Sequence, residues 1–510
     1  MHNRLSPAAA SSAAHASNTS LNPAAYLTRC SIYAHDVADS TPSSMERVRP
    51  GLAQWTPPGW ASNQYAFEWH LARAVRSHAW RVPKMTDAEL IFGAANWSLM
   101  CVAKMQLASR RQWQEMLDDA ALFPRANRSA VCRGASPARG CFDARARPVF
   151  MAFQYGGCLP PWQAAAVPPN ALLLRETVLP RSHELRTNFL GPFAVTTPRW
   201  LVGAEAAPAA PPWEARKLVF MAGHVPKLYL SRHRYSLWLV LRSDPRATVV
   251  SKTLNCSIGS YSVCRRGDAY LRAQPHTFFR DFCKPFCEPL EANVRCSGYN
   301  ERDAQTTLAN KMVRQCRAYR KVNYTDELPD MVRDTRRLPH AVFLAESLRH
   351  RFCLIPPGDV GHASPKISEG IALGAARGCI PVIVLPFNSA RETRRFLGTF
   401  LPFTRWLDYC SVAYLVPART VYRAALVRDL VERLSRVTAA EAAAKHAALA
   451  RVRDAFVLRG GEGGVDAEPT AADFVLGEAC EIARRRRRDE PPALPVGGDH
   501  RSCVLGELSD

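Results

Sequence analysis

The chain has 510 residues, 47% of them hydrophobic and 9% aromatic, enough for two ordinary domains and too many for a single core. A net charge of +22 favours anionic partners, whether nucleotide sugars, acidic glycans, nucleic acid or a membrane surface, without choosing among them. No uninterrupted apolar run of about 18 residues is present and residues 1–29 lack a compact apolar segment, so neither a spanning helix nor a signal peptide is visible.

In chain order, residues 1–28, rich in Ala, Ser, Asn and Pro, read as a disordered N-terminus. The run CSIYAHDV from Cys30 reads as a first strand and puts Asp36 at its carboxyl end, where open α/β sheets place functional groups. The plainer reading of Asp36 is a loop residue capping the next turn. Asn63 to His78 is a helical candidate carrying Glu68 and His70, acid/base candidates that on a packed helix more often serve structure. Asp87 to Phe92 reads as an apolar strand after an acidic turn. Residues 104–165 read as loops and short helices, and Leu172 to Leu174 and Phe193 to Thr196 as further strands. The segment AEAAPAAPP, Ala204 to Pro212, has the composition of a semi-rigid linker. A first domain over 29–205, a linker at 206–215 and a second domain over 216–458 follow.

The second domain opens with the strand KLVFMA, which ends in Gly223. A glycine there lets a ligand approach the backbone, and His224, Lys227, Arg232 and Arg234 follow, ahead of a helical stretch from Tyr235 to Leu241. Arg232 and Arg234 could fork onto a diphosphate or simply be solvated. Six cysteines from Cys256 to Cys316 favour disulfides; Cys283 and Cys287 have a zinc-ligand gap, but no second close pair completes the usual spacing. Over the whole chain, sixteen cysteines and the sequons at Asn18, Asn96, Asn127, Asn255 and Asn323 lean toward a secretory lumen.

Arg351 to Leu385 reads as one strand, loop, helix, strand unit. Phe352 to Ile355 and Cys379 to Leu385 are buried parallel strands by pattern, and Ser364-Pro365 opens a helix that Gly378 stops. The loop delivers Gly358, Asp359, Gly361 and His362 to that helix start, where free N–H groups and the positive dipole end favour an anion. Lys366 adds a full charge in the first turn, and Glu369, on the same face, can accept hydrogen bonds from a ribose diol. A plain βαβ crossover explains the same glycines without a ligand. Beyond this unit, Ser411 to Val416 reads as a strand, Val421 to Leu458 as one or two amphipathic helices, and 459–510 as a disordered basic tail whose Arg484 to Arg488 form a solvated or localisation patch.

Phe352, Cys353, Leu354, Pro356, Gly358 and Asp359, then Ser364, Lys366, Glu369, the run Cys379 to Ile383 and Leu401-Pro402-Phe403, stand in one order. That order resembles the donor-binding signature of exostosin-like glycosyltransferases. The departures are Lys366 where arginine is usual, Val360 where threonine is usual, and an inserted Ala375 to Gly378. The resemblance spans about residues 30–456. It implies an α/β fold of two Rossmann-like domains facing a cleft (GT-B type), and an inverting transfer of a sugar from a nucleotide donor, a UDP-sugar, to a glycan hydroxyl. On that basis Gly223, Arg232, Arg234, Gly358, Asp359, Ser364, Lys366 and Glu369 bind the donor, and Asp36 is the catalytic candidate. It implies no cofactor and no essential metal, a glycan acceptor as second partner, no nucleic acid, and a Golgi lumen location with membrane association through a segment not seen here. A non-catalytic glycan-binding or transferase-assisting protein, or a basic polyanion-binding protein, are the alternatives.

Overall fold

A computed structural model describes residues 22–36, 67–94, 118–124, 146–153, 170–175, 188–189, 210–223, 244–251, 340–357, 366–385, 388–391, 401–421, 424–457, 469–490 and 500–508, with a few single residues between them. Strands and helices are named here in chain order. Two five-stranded sheets, parallel at every pairing, form the frame. Purely parallel sheets need cover on both faces, as the fully buried strands Leu90–Ala94 and Ile380–Val384 show.

The first sheet contains β1 (Ile32–Asp36), β2 (Leu90–Ala94), β3 (Val149–Phe153), β4 (Ala171–Arg175) and β5 (Asn188–Phe189), in that spatial order. Between β1 and β2 runs α1 (Phe67–Arg76), whose Leu71, Ala72 and Val75 pack against Ile32, Leu90, Phe92 and Phe150. The predicted strand at Phe193 to Thr196 lies outside the described residues, as do the cysteines from Cys256 to Cys316 and all five sequon asparagines.

The second sheet contains β6 (Lys217–Gly223), β7 (Ala247–Ser251), β8 (His350–Ile355), β9 (Ile380–Val384) and β10 (Tyr414–Val416). Its spatial order is β10-β9-β8-β6-β7, with Phe352 in register between Val219 and Ile380. Alternation splits these strands cleanly. Val219, Met221, Phe352, Leu354 and Val382 meet Val427, Leu430 and Leu434 of α4 (Ala424–Ser435). On the opposite face, Phe220 and Cys353 meet Phe343 of α2 (His340–Arg349). Ile355 and Ile383 join Ile367 and Ile371 of α3 (Lys366–Ala375) and Leu449 of α5 (Ala439–Val452) in one core. Helices therefore cover both faces, the doubly wound arrangement.

The described residues of the segment read as a disordered basic tail are instead structural. Within it, α6 (Ala471–Arg487) opens on a capping box between Thr470 and Asp473 and buries Phe474, Val475, Leu476 and Ala479. The arginine run is drawn into the protein by hydrogen bonds that a solvated patch would not make. Arg484 donates to Arg29 O at 2.6 Å, Arg486 to Ala171 O at 3.1 Å, and Arg487 pairs with Glu89 at 3.0 Å. Burial lowers the Arg486 guanidinium to about 10. Burial also pushes the Glu89 carboxyl up, but hydrogen bonds from Arg484, Arg487 and the Ser31 N–H outweigh it and hold the group below its usual value. Farther on, Cys503 is bonded to Cys410, and the Leu505 N–H donates to Leu415 O at 2.8 Å, so this end of the chain covers the edge of β10. The strand expected from Ser411 is shorter: Asp408 caps a helical turn at Tyr409–Val412, and extension begins only at Tyr414.

The near end of the chain is tied to α6 as well. Residues Pro23–Tyr26, inside the stretch read as disordered, form a helical turn, Thr28 donates to Glu481 at 3.0 Å, and Cys30 is disulfide-bonded to Cys480. That disulfide closes a loop across 450 positions and restricts the unfolded chain strongly. Replacing Cys480 with alanine should lower stability by about 2–4 kcal/mol, read as a lower urea midpoint in non-reducing buffer. An unchanged midpoint would show that the disulfide does not form.

Candidate functional site

In an open parallel sheet a ligand crevice forms outside the carboxyl ends of two strands whose connections leave in opposite directions. In the second sheet the chain leaves β6 toward β7, and returns past it to β8. The reversal lies between β6 and β8. The first sheet runs in sequential order among its described strands and has no such reversal there. Topology alone thus selects the ends of β6 and β8, where Gly223 closes one strand and Ile355-Pro356 the other.

Across this point sits the first turn of α3. Gly370 eases its close approach: a Cβ there would lie 2.7 Å from Ile355 Cδ1, so any larger residue would have to displace that side-chain tip for the helix to sit on the end of β8. Lys366 thereby reaches Gly223, with its Cε 3.8 Å from where a Gly223 Cβ would stand. Its ammonium lies 4.8 Å above the Phe343 ring and 3.9 Å from Glu369 Oε2, and both side chains keep about three tenths of their surface. The neighbouring Ile367, Ser368, Gly370 and Ile371 are buried. A cation, a carboxylate and a close backbone thus converge at the switch point, at the first described turn of α3. These groups suit an anion joined to a diol.

Of the residues singled out in the sequence, the structure brings Gly223, Lys366 and Glu369 together. Gly358, Asp359, Ser364, Arg232 and Arg234 lie outside the described residues, as does the side chain of His70. Asp36 ends β1 with its backbone paired to Ala94, and its side chain is outside the described ones. Glu68 is buried at 1% exposure at the start of α1.

The helix stop differs from expectation. Gly378 does not take the left-handed conformation; Arg377 does, at φ 60°, while the Gly378 N–H donates to Leu373 O at 2.8 Å. Gly378 is needed for closeness, since a Cβ there would sit 2.8 Å from that carbonyl.

Sequence reasoning passed over one pair: His35 on β1 faces Asp119, Nε2 to Oδ2 3.7 Å, and the Ala121 N–H donates to Asp119 Oδ1 at 2.8 Å. No local pattern announces a contact between segments so far apart in the chain.

Two other buried titratable groups belong to the amino ends of the strands, away from the crevice. His350 joins Glu346 O and Thr248 Oγ1, and burial keeps its ring below the usual imidazole value. Lys445 donates to the carbonyls of Cys410 and Ala413 ahead of β10. Among the described residues no cluster of three or more His, Cys, Asp and Glu side chains could hold a metal ion, and no helix is long and apolar enough to cross a membrane. No protein-family model matches the sequence, and no curated protein matches it.

Proposed function

We propose that the protein is a glycosyltransferase that binds a nucleotide sugar, a UDP-sugar, at the ends of β6 and β8 and transfers the sugar with inversion to a glycan hydroxyl. The observation that carries this reading is the convergence of Gly223, Lys366 and Glu369 at the one strand-order reversal among the described strands. The exostosin-like signature over 352–403 supports it, because its basic and acidic positions are the two charged groups found there. In this reading Lys366 and the α3 N-terminus neutralise the leaving diphosphate without a metal, Glu369 accepts from the ribose, and the two sheets form the halves of a GT-B cleft with the acceptor on the first. The disulfides Cys30–Cys480, Cys353–Cys379 and Cys410–Cys503 suit an oxidising compartment such as the Golgi lumen. A general polyanion-binding role loses part of its motive, since Arg484, Arg486 and Arg487 are engaged by Glu89 and backbone carbonyls.

Calorimetry with UDP, in EDTA, tests the placement. Glu369→Ala removes a charged acceptor and should weaken binding about tenfold to hundredfold, corresponding to roughly 1.5–3 kcal/mol, while the melting temperature is unchanged. Were Glu369 only the partner of Lys366, an exposed pair worth about 0.3–0.5 kcal/mol, the affinity would not move. Equal affinity in both proteins rejects the nucleotide site.

A further inference from the structure

We propose that Arg377, Arg216 and Arg351 form an oxyanion site for the sulfate groups of an acidic glycan, at the amino ends of β6, β8 and β9. This site stands apart from the crevice: β6 alone has seven residues, about 23 Å at 3.3 Å each, between Arg216 and the far end of Gly223.

The three arginines come from separate segments and are held close. Arg216 donates from Nη1 to Arg377 O at 3.0 Å and from Nε to Pro211 O at 2.9 Å. Arg351 donates from Nε to Trp213 O and from Nη2 to Glu214 O, both at 2.8 Å. The Trp213 ring carries both guanidinium groups, Arg351 at 5.4 Å and Arg216 at 5.8 Å. These bonds orient two planar forks and leave Nη2 of Arg216 and Nη1 of Arg351 for another acceptor. Arg377, with an exposed side chain, completes the group.

What the cluster lacks is a carboxylate. Among the described residues none of the three makes an ion pair, although other arginines of the chain find acidic partners, such as Arg405 with Glu478 and Arg487 with Glu89. Burial, then the charges of Arg351 and Arg377, push the Arg216 guanidinium below its usual value, as expected where like charges face one another without an anion.

Arg377 adds an independent observation. Its φ of 60° is a left-handed conformation that strains a residue with a Cβ and costs glycine almost nothing. Helices usually end on glycine there. An arginine that is strained and adds repulsion serves folding poorly on both counts, which points to a ligand.

An acidic glycan fits better than single-stranded nucleic acid. Strand binding relies on exposed aromatic platforms, and the only exposed large hydrophobic residues among the described ones are Tyr26 and Val496, neither of them near this cluster in sequence. Trp213 already lies under both guanidinium groups.

The test uses Arg377→Gly, because a purely structural arginine would lower stability when removed. Binding of a heparin-derived tetrasaccharide is measured by calorimetry beside its desulfated counterpart, single-stranded DNA of equal charge, and the control Arg451→Gln, which removes an exposed arginine of α5. The expected result is about a tenfold loss of sulfated tetrasaccharide affinity in Arg377→Gly, with the melting temperature unchanged or raised, and no loss in Arg451→Gln. Equal losses in both variants, or none in Arg377→Gly, would overturn the site. DNA binding that is as tight and as dependent on Arg377 would overturn the glycan assignment. None of these readings uses UDP, so the outcome is separate from that of the nucleotide test.

Discussion

Replacing Glu478 with alanine should cost about 3–5 kcal/mol of stability, the range for removing one partner of a buried ion pair. Glu478 lies in α6 at 8% exposure. Its carboxylate accepts from Arg405 Nη2 at 2.9 Å, from Arg405 Nε at 3.2 Å and from the Trp406 indole N–H at 3.2 Å. Truncation leaves that N–H unpaired in the core and strips the guanidinium of its counter-charge, keeping for it only Tyr26 O at 2.9 Å. The surroundings cannot relax to compensate, because Trp406 is stacked with Phe403 and packed against Phe474. The pair is not a net gain in itself. Burial pushes the Glu478 carboxyl up, and Arg405 and Trp406 pull it only part of the way back. The folded protein therefore holds a proton there more readily than the unfolded chain does. Stability from this group is present below the usual carboxylate value and is lost as pH rises through the raised one. Urea unfolding of the wild type, Glu478→Ala and the double replacement Arg405→Met with Glu478→Met checks all of this. The single variant should be far less stable than the double, which the same principle places near neutral. A cost below about 1 kcal/mol for Glu478→Ala would mean that the carboxylate is solvated, contrary to its burial.

Raising the pH from 8 to 10 should stabilise the protein by about 2 kcal/mol through Lys445 alone. Burial lowers this ammonium to about 8 from an ordinary 10.5, against the opposing pull of Glu441 and Asp408. It donates to Cys410 O at 2.7 Å and Ala413 O at 3.1 Å and lies 4.2 Å from the centre of the Tyr414 ring. The unfolded chain keeps its proton up to the ordinary value, and the folded one releases it near 8. Between those values the unfolded state binds more protons, so stability rises with pH. Tyr414 does not blur the window. Burial and its bond to Glu441 hold the phenol above its usual 10, so its contribution is intact until pH passes 10. Lys445→Met removes the titrating group and should flatten the curve between pH 8 and 10, at the loss of two hydrogen bonds to carbonyls. A wild-type curve already flat in that range would show the ammonium to be fully compensated by its carbonyls and the Tyr414 ring.

Local pattern determined the elements of the second sheet. Leu218 to Ala222, Phe352 to Ile355 and Ile380 to Val384 are unbroken apolar runs, the composition expected of a strand covered on both faces. The helix from Lys366 was legible for the same kind of reason, since Ser364-Pro365 and Gly378 punctuate it, and so was the face shared by Lys366 and Glu369. Spatial strand order is not a local property. The reversal between β6 and β8, which makes Gly223 and Lys366 neighbours, arises because the chain returns from β7 across its own start, and no periodicity records that. The residues 459–510 misled by composition: Arg484 to Arg488 look solvated because charge normally pays for exposure. Their partners, Arg29 O, Glu89 and Ala171 O, belong to segments hundreds of positions away and exist only once α6 docks on the first sheet. Disulfide partners follow the same rule. The cysteine count implied bonding, but Cys30 meets Cys480 only because packing places the entry to β1 beside α6. Pattern thus decides what each segment can become, and long-range packing decides which charged groups end up paired and which, like Arg377, are left facing solvent.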